Sequence, residues 1–126
     1  MVLHTSGTTS RPKVVPLTNK NIYSSAVNIA ETLNLTSSDH CYNIMPLFHI
    51  HGLIAILSSS IYAGASVYTS VGFNALNFLD KAKKENISWY SGVPTMHQGI
   101  LMRAKKNMEQ AKNLSLRFIR SSSASL

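Results

Sequence analysis

Between Thr5 and Lys13 the chain reads Thr-Ser-Gly-Thr-Thr-Ser-Arg-Pro-Lys, a run of hydroxyl side chains with one glycine and a lysine at its end. Such a run suits a polyanion. Gly7 lets the backbone approach closely, successive N–H and hydroxyl groups are neutral donors, and Lys13 adds a compact positive charge. The Walker pattern is different: it places two glycines at fixed spacing directly before Lys-Ser or Lys-Thr. On composition alone, the same run reads first as a solvated turn. A second chemical group lies in Met45–Leu53, where His49 follows Pro46 by three residues. A neutral imidazole there is able to donate a hydrogen bond to a carboxylate, or to serve as a structural histidine in a buried corner. His51, two residues on, raises the question of a metal. Two histidines supply too few ligands, and His40, Cys41 and His97 add no recognised ligand spacing, so no metal site is expected.

The elements that must position these groups alternate in type. Val2-Leu3 and Val14–Leu17 are short β-rich stretches on either side of the hydroxyl-rich loop. Thr18 is able to cap a helix whose face carries Ile22, Ala26, Ile29, Ala30 and Leu33. A strand at Tyr42–Met45 precedes a buried helix at Gly52–Tyr62, followed by a strand at Ser66–Thr69. A helix from Phe73 to Asn86, a strand at Ile87–Ser91, a helix opened by Pro94 and a strand at Leu116–Ile119 complete the chain. Strands separated by helices imply βαβ units, and hence an α/β fold with a mostly parallel sheet and flanking helices.

Composition narrows the classes. The chain has 126 residues, of which 44% are hydrophobic and 13% charged, which suits a packed domain. The net charge of +7 favours anionic ligands in general. Its clusters, Lys81 with Lys83 and Lys84, and Arg103 with Lys105 and Lys106, fall at the ends of expected helices, where the macrodipole favours cations. No aromatic interleaving or nucleic-acid motif accompanies them, so no nucleic-acid partner is expected. A single cysteine, Cys41, leaves no internal disulfide and fits a reducing compartment. No leader or membrane span is expected from the order of apolar and charged residues.

The string from Thr5 to Lys13 resembles the ATP phosphate-binding loop of the acyl-adenylate-forming enzymes. Met45-Pro46-Leu47-Phe48-His49-Ile50-His51-Gly52-Leu53 is similar to that family's second motif. Gly92-Val93-Pro94-Thr95 is similar to its strand-to-helix corner beside the acyl pocket. Arg120-Ser121-Ser122-Ser123-Ala124-Ser125-Leu126 resembles a later motif that usually carries glycine, alanine and proline. The serine-rich form, with Ser10 in the first loop and Ser122 at the usual glycine, most resembles the oxalate–CoA ligase branch.

That resemblance implies a role for each motif. Thr5, Ser6, Gly7, Thr8, Thr9 and Lys13 would hold the phosphates of ATP. His49 would lie by the reacting carboxylate, with Lys13 and His49 as the catalytic pair. Ser121, Ser122 and Ser123, with Thr95, would line the acid pocket, the three serines narrowing it and offering donors to a small acid such as oxalate. Arg120 is expected to run along the strand edge. ATP with Mg²⁺ and coenzyme A would be the co-substrates, and the location cytoplasmic or peroxisomal. Residues 1–126 would form part of the large N-terminal, AMP-binding domain, with the ribose, hinge and C-terminal lysine segments absent. A coumarate-like or medium-chain acid, or a non-catalytic phosphate-binding piece, remain the alternatives.

Overall fold

The computed structural model describes residues 1–5 and 12–124. Strands β1 (Val2–Thr5) and β2 (Lys13–Pro16) pair antiparallel with Thr5 opposite Lys13. The hydroxyl-rich run is therefore the connection of a hairpin, and its residues Ser6, Gly7, Thr8 and Thr9 lie outside the described residues.

Helix α1 (Asn19–Thr32) begins where the sequence places a cap. The Thr18 hydroxyl accepts from the Asn21 amide at 3.1 Å, and the Asn21 side chain accepts from the Thr18 amide at 3.0 Å. This reciprocal box satisfies two amides that the first turn would otherwise leave unpaired. The helix buries Ala26 and Ala30, whose small side chains let it lie close to its neighbours.

Four further strands form a parallel sheet in the order β4-β3-β5-β6: β3 (His40–Asn43), β4 (Ser66–Thr69), β5 (Trp89–Gly92) and β6 (Phe118–Ser121). A π-helix (His51–Ser58) continues into α2 (Ser59–Tyr62) and links β3 to β4. Helix α3 (Ala75–Lys84) links β4 to β5, and α4 (Pro94–Lys106) with α5 (Met108–Lys112) links β5 to β6. The α/β class and parallel sheet agree with the sequence reading. Boundaries differ: the last strand lies two residues later than expected, which brings Arg120 and Ser121 into it. The expected α-helix at Gly52–Tyr62 opens as a π-helix, a wider turn often found at functional sites.

Side chains alternate across the sheet, so each strand feeds two cores. Tyr42, Ile44 and Tyr90 face α3 and α4 and pack with Phe78, Leu79, Ala82, Ile87 and Ile100. There the Tyr42 and Phe78 rings stack at 5.3 Å, and Phe78 meets Tyr90 edge-on at 4.7 Å. Cys41 and Trp89 face the other way, against Ile56 of the π-helix and Phe118 of β6. Burial pushes the Cys41 thiol well above its usual range, and nearby Asp39 adds to the effect, so it stays a packed thiol.

A polar clasp aligns the amino ends of three strands. Arg117 Nη2 donates to Asp39 Oδ2 at 2.8 Å, the Ser88 hydroxyl donates to Asp39 Oδ1 at 2.9 Å, and the His40 amide donates to Ser88 Oγ at 2.9 Å. Burial raises the Asp39 carboxyl, but bonds from Arg117, the Thr36 amide and Ser88, with the Arg117 charge, outweigh it. Its pKa falls below the ordinary carboxylate value.

Candidate functional site

Open parallel sheets bind ligands at the carboxyl ends of their strands, where the winding reverses direction. Here β3 connects toward β4 on one side and β5 toward β6 on the other, so the reversal lies between β3 and β5. The turns after β3, β5 and β6 carry the histidine, corner and serine motifs.

Local chemistry sets the first turn. Asn43, the last residue of β3, accepts from the Met45 amide at 3.1 Å and donates to the Gly52 carbonyl at 3.2 Å. The chain returns so closely that a Cβ on Gly52 would lie 2.5 Å from the Pro46 carbonyl oxygen and 2.9 Å from that of Met45. Both neighbours are backbone, so no side chain fits. This close return turns His51 inward, leaving it 6% exposed, while His49 stays on the outside of the turn against the Phe48 ring at 4.9 Å.

His51 is the centre of a polar network. Its Nε2 lies 2.7 Å from Ser91 Oγ and 3.3 Å from Arg120 Nη1, and its Nδ1 lies 3.3 Å from Ser123 Oγ. Arg120 Nη1 also donates to Ser91 Oγ at 3.1 Å. One proton arrangement satisfies three of these contacts and leaves the longer approach of Arg120 to Nε2 as a secondary one. Arg120 donates to Ser91, the Ser91 hydroxyl donates to His51 Nε2, and the protonated Nδ1 donates to Ser123. It requires a neutral imidazole. Burial, then the positive charge of Arg120, then His97 and His49, lower the His51 pKa to about 4, which keeps it neutral near pH 7. Ser123 holds its place with φ 76°, a left-handed conformation that a serine adopts only at some energetic cost.

A cavity of about 390 Å³ opens beside this network. His51, Arg120, Ser122 and Ser123 form one polar end, and the rest comes from the hairpin, α1 and the π-helix, mostly apolar residues such as Leu3, Ile22 and Ile54 with Asn21 and Ser25 among them. Arg120 thus corrects the expectation of a strand-edge side chain: it points into the cavity side of the sheet. The serines divide, because neighbours on a strand face opposite ways. Ser122 and Ser123 line the cavity, whereas Ser121 lines a hollow on the other face with Tyr90, His97 and Leu116. The Ser121 hydroxyl is buried there without a partner among the described residues. The serines accordingly do not act as one narrowing wall, and the cavity is larger than a two-carbon acid fills.

The other expected residues sit apart. Thr95 is exposed on the first turn of α4, outside the cavity lining. Lys13 is exposed at the end of the hairpin, in register with Thr5. Among the described residues, no three His, Cys, Asp or Glu side chains gather as a metal-binding group. No described helix is long and apolar enough to cross a membrane. His51 and Arg120 are the residues that sequence reasoning undervalued. A strand carried two residues further would have set Arg120 and Ser121 on opposite faces, but which face met His51 was not legible.

Known proteins are similar to this chain in sequence and in build. The chain is 52% identical to the oxalate–CoA ligase of Arabidopsis thaliana and 46% identical to that of Saccharomyces cerevisiae, in each case over 100% of its own length. It spans about a quarter of those relatives, 25% and 22% respectively. Among solved structures, a malonyl-CoA ligase in a ternary product complex with methylmalonyl-CoA and AMP superposes with a TM-score of 0.87 at 31% identity. That match covers 99% of this chain and 27% of the other. The o-succinylbenzoate CoA synthetase of Bacillus subtilis, in complex with its acyl-adenylate intermediate, gives 0.85 at 32% identity, covering 99% and 31%. Residues 1–126 match the family described as AMP-binding enzyme, and the chain belongs to that family.

Proposed function

We propose that the full-length protein is an ATP-dependent acid–CoA ligase and that its favoured acid is oxalate. The observation that carries this reading is the His51–Ser91–Arg120–Ser123 network, which sets donors and a positive charge at one end of a cavity on the carboxyl edge of the sheet. Sequence similarity to two oxalate–CoA ligases supports the choice of acid.

In the first half-reaction a carboxylate oxygen bonds to the α-phosphorus of ATP, and the bond to the β-phosphate oxygen breaks to release pyrophosphate. In the second, the thiol sulfur of coenzyme A bonds to the acyl carbon, gives up its proton, and AMP leaves. Both halves bring anionic groups together, so positioning and charge stabilisation matter more than covalent help. Thr5, Ser6, Gly7, Thr8, Thr9 and Lys13 are assigned to the phosphates. His49, at the surface of the turn, is assigned to the reacting carboxylate and Thr95 to the pocket border. Mg²⁺ would arrive with ATP, since the described residues offer it no ligand set of their own. A reducing cytoplasmic or peroxisomal setting suits the free Cys41.

A second reading rests on the apolar walls and volume of the cavity, which suit a bulkier aryl or acyl acid. Pyrophosphate exchange by the full-length protein against oxalate, malonate, coumarate and medium-chain acids separates the two. Preference for oxalate is the expected result. Turnover of coumarate-like or fatty acids without oxalate would establish the second reading instead.

A further inference from the structure

We infer that Arg120 is the specificity-determining residue for acids that carry a second carboxylate. It would bind the carboxylate that is not activated while His51 and Ser91 hold the guanidinium in place. The inference rests on the proposed ligase function and deepens it.

Three observations carry it. First, Arg120 is partly buried at the wall of a cavity whose other walls are largely apolar, and a charge in such a place needs a counter-charge. Second, the ion pair among the described residues joins Arg117 to Asp39, at the opposite ends of the strands, and no described carboxylate faces Arg120. Third, its contacts use Nη1 alone, to Ser91 Oγ at 3.1 Å and His51 Nε2 at 3.3 Å. Nε and Nη2 donate to no described residue, although guanidinium offers five N–H donors in a fixed fork. A fork with one tine anchored and the others open toward a cavity is the geometry that grips a carboxylate through two parallel bonds. The anchors are neutral, so neither Ser91 nor His51 competes with a ligand for the charge. A monocarboxylic acid would leave the guanidinium unpaired, and its binding would forfeit that bond.

The test compares oxalate with glyoxylate, which is of similar size but bears one carboxylate. In the full-length protein, kcat/KM for both acids is measured for the wild type, Arg120→Met and Arg120→Lys, with circular dichroism to establish folding. Arg120→Met should lower the oxalate-to-glyoxylate ratio by about tenfold to a hundredfold, mainly through KM for oxalate. Arg120→Lys, which keeps the charge but not the fork, should recover part of that ratio. Thermal stabilisation of the wild type by oxalate in the presence of ATP should likewise exceed that by glyoxylate and shrink in both variants. Equal loss on the two acids, with the ratio unchanged in either folded variant, would overturn the inference while leaving the ligase reading intact. A wild-type protein that uses monocarboxylic acids and not oxalate would overturn the inference and the choice of acid, and one that activates no acid would overturn the ligase reading itself.

Discussion

Ser91 Oγ lies 2.7 Å from His51 Nε2, a contact between residues forty positions apart that joins the end of β5 to the start of the π-helix. Both residues are buried, and the same hydroxyl accepts from Arg120. One serine therefore orients an imidazole and a guanidinium together. Ser91→Ala should leave His51 Nε2 with only the longer approach of Arg120 Nη1 and destabilise the full-length protein by about 1–3 kcal/mol, the scale for a poorly met buried polar group. Denaturant unfolding would measure this. A change of under about 0.3 kcal/mol would show that the network does not hold the fold at this point.

Gly52→Ala should be costlier than an ordinary helical Gly→Ala change, which is usually favourable. Its Cβ would meet the Pro46 carbonyl oxygen at 2.5 Å, so the turn carrying His49 or the π-helix must move. A loss of about 1–3 kcal/mol is expected, typical of overpacking. Thermal melts together with the rate on the preferred acid would reveal it, and an unchanged melting temperature would contradict the close approach.

Protonation of His51 gives a pH signature. The unfolded chain takes up this proton near 6.5 and the folded chain only near 4, so stability should fall as pH drops through that window. The slope due to this one group is at most about 1.4 kcal/mol per pH unit. His51→Gln should flatten it. Urea midpoints at pH 7, 6, 5 and 4 for both proteins would decide, and parallel curves would mean that His51 charges freely in the fold.

Asp39 gives the corresponding signature at lower pH. Its folded pKa is below the ordinary 3.8, so its contribution is present above that value and lost as pH falls further. Arg117→Met should cost about 1–3 kcal/mol at pH 7, less than a fully enclosed pair, because the Arg117 side chain is 43% exposed. It should also move the acid unfolding midpoint upward. An acid midpoint that does not shift would remove the clasp from the account of how β3 and β6 are held.

Lys13→Ala should raise the ATP concentration required for pyrophosphate exchange and slow the exchange itself, through loss of a charge-assisted contact of about 1.5–3 kcal/mol. Because Lys13 is exposed, folding should be unaffected. Unchanged exchange kinetics would strike Lys13 from the phosphate site.

The alternation of β-rich and helical stretches was legible in the sequence because periods of two and 3.6 residues are local properties, and so was the Thr18 cap, whose partner is three residues away. The two β-rich stretches on either side of the hydroxyl-rich loop were legible for the same reason, whereas their antiparallel pairing emerged only in the fold. Where Arg120 points was not. That depended on two residues of strand boundary and on which face of β6 meets the π-helix, both set by packing against Trp89 and Ile56. Nor did the histidine motif reveal which imidazole turns inward. The Asn43 bonds and the bare Cα of Gly52 set that geometry, leaving His49 outside and His51 against Ser91. The chain alone determined which chemical groups stand at the strand ends. Their meeting required contacts between residues 29 to 72 positions apart, and such contacts exist only once the sheet has formed.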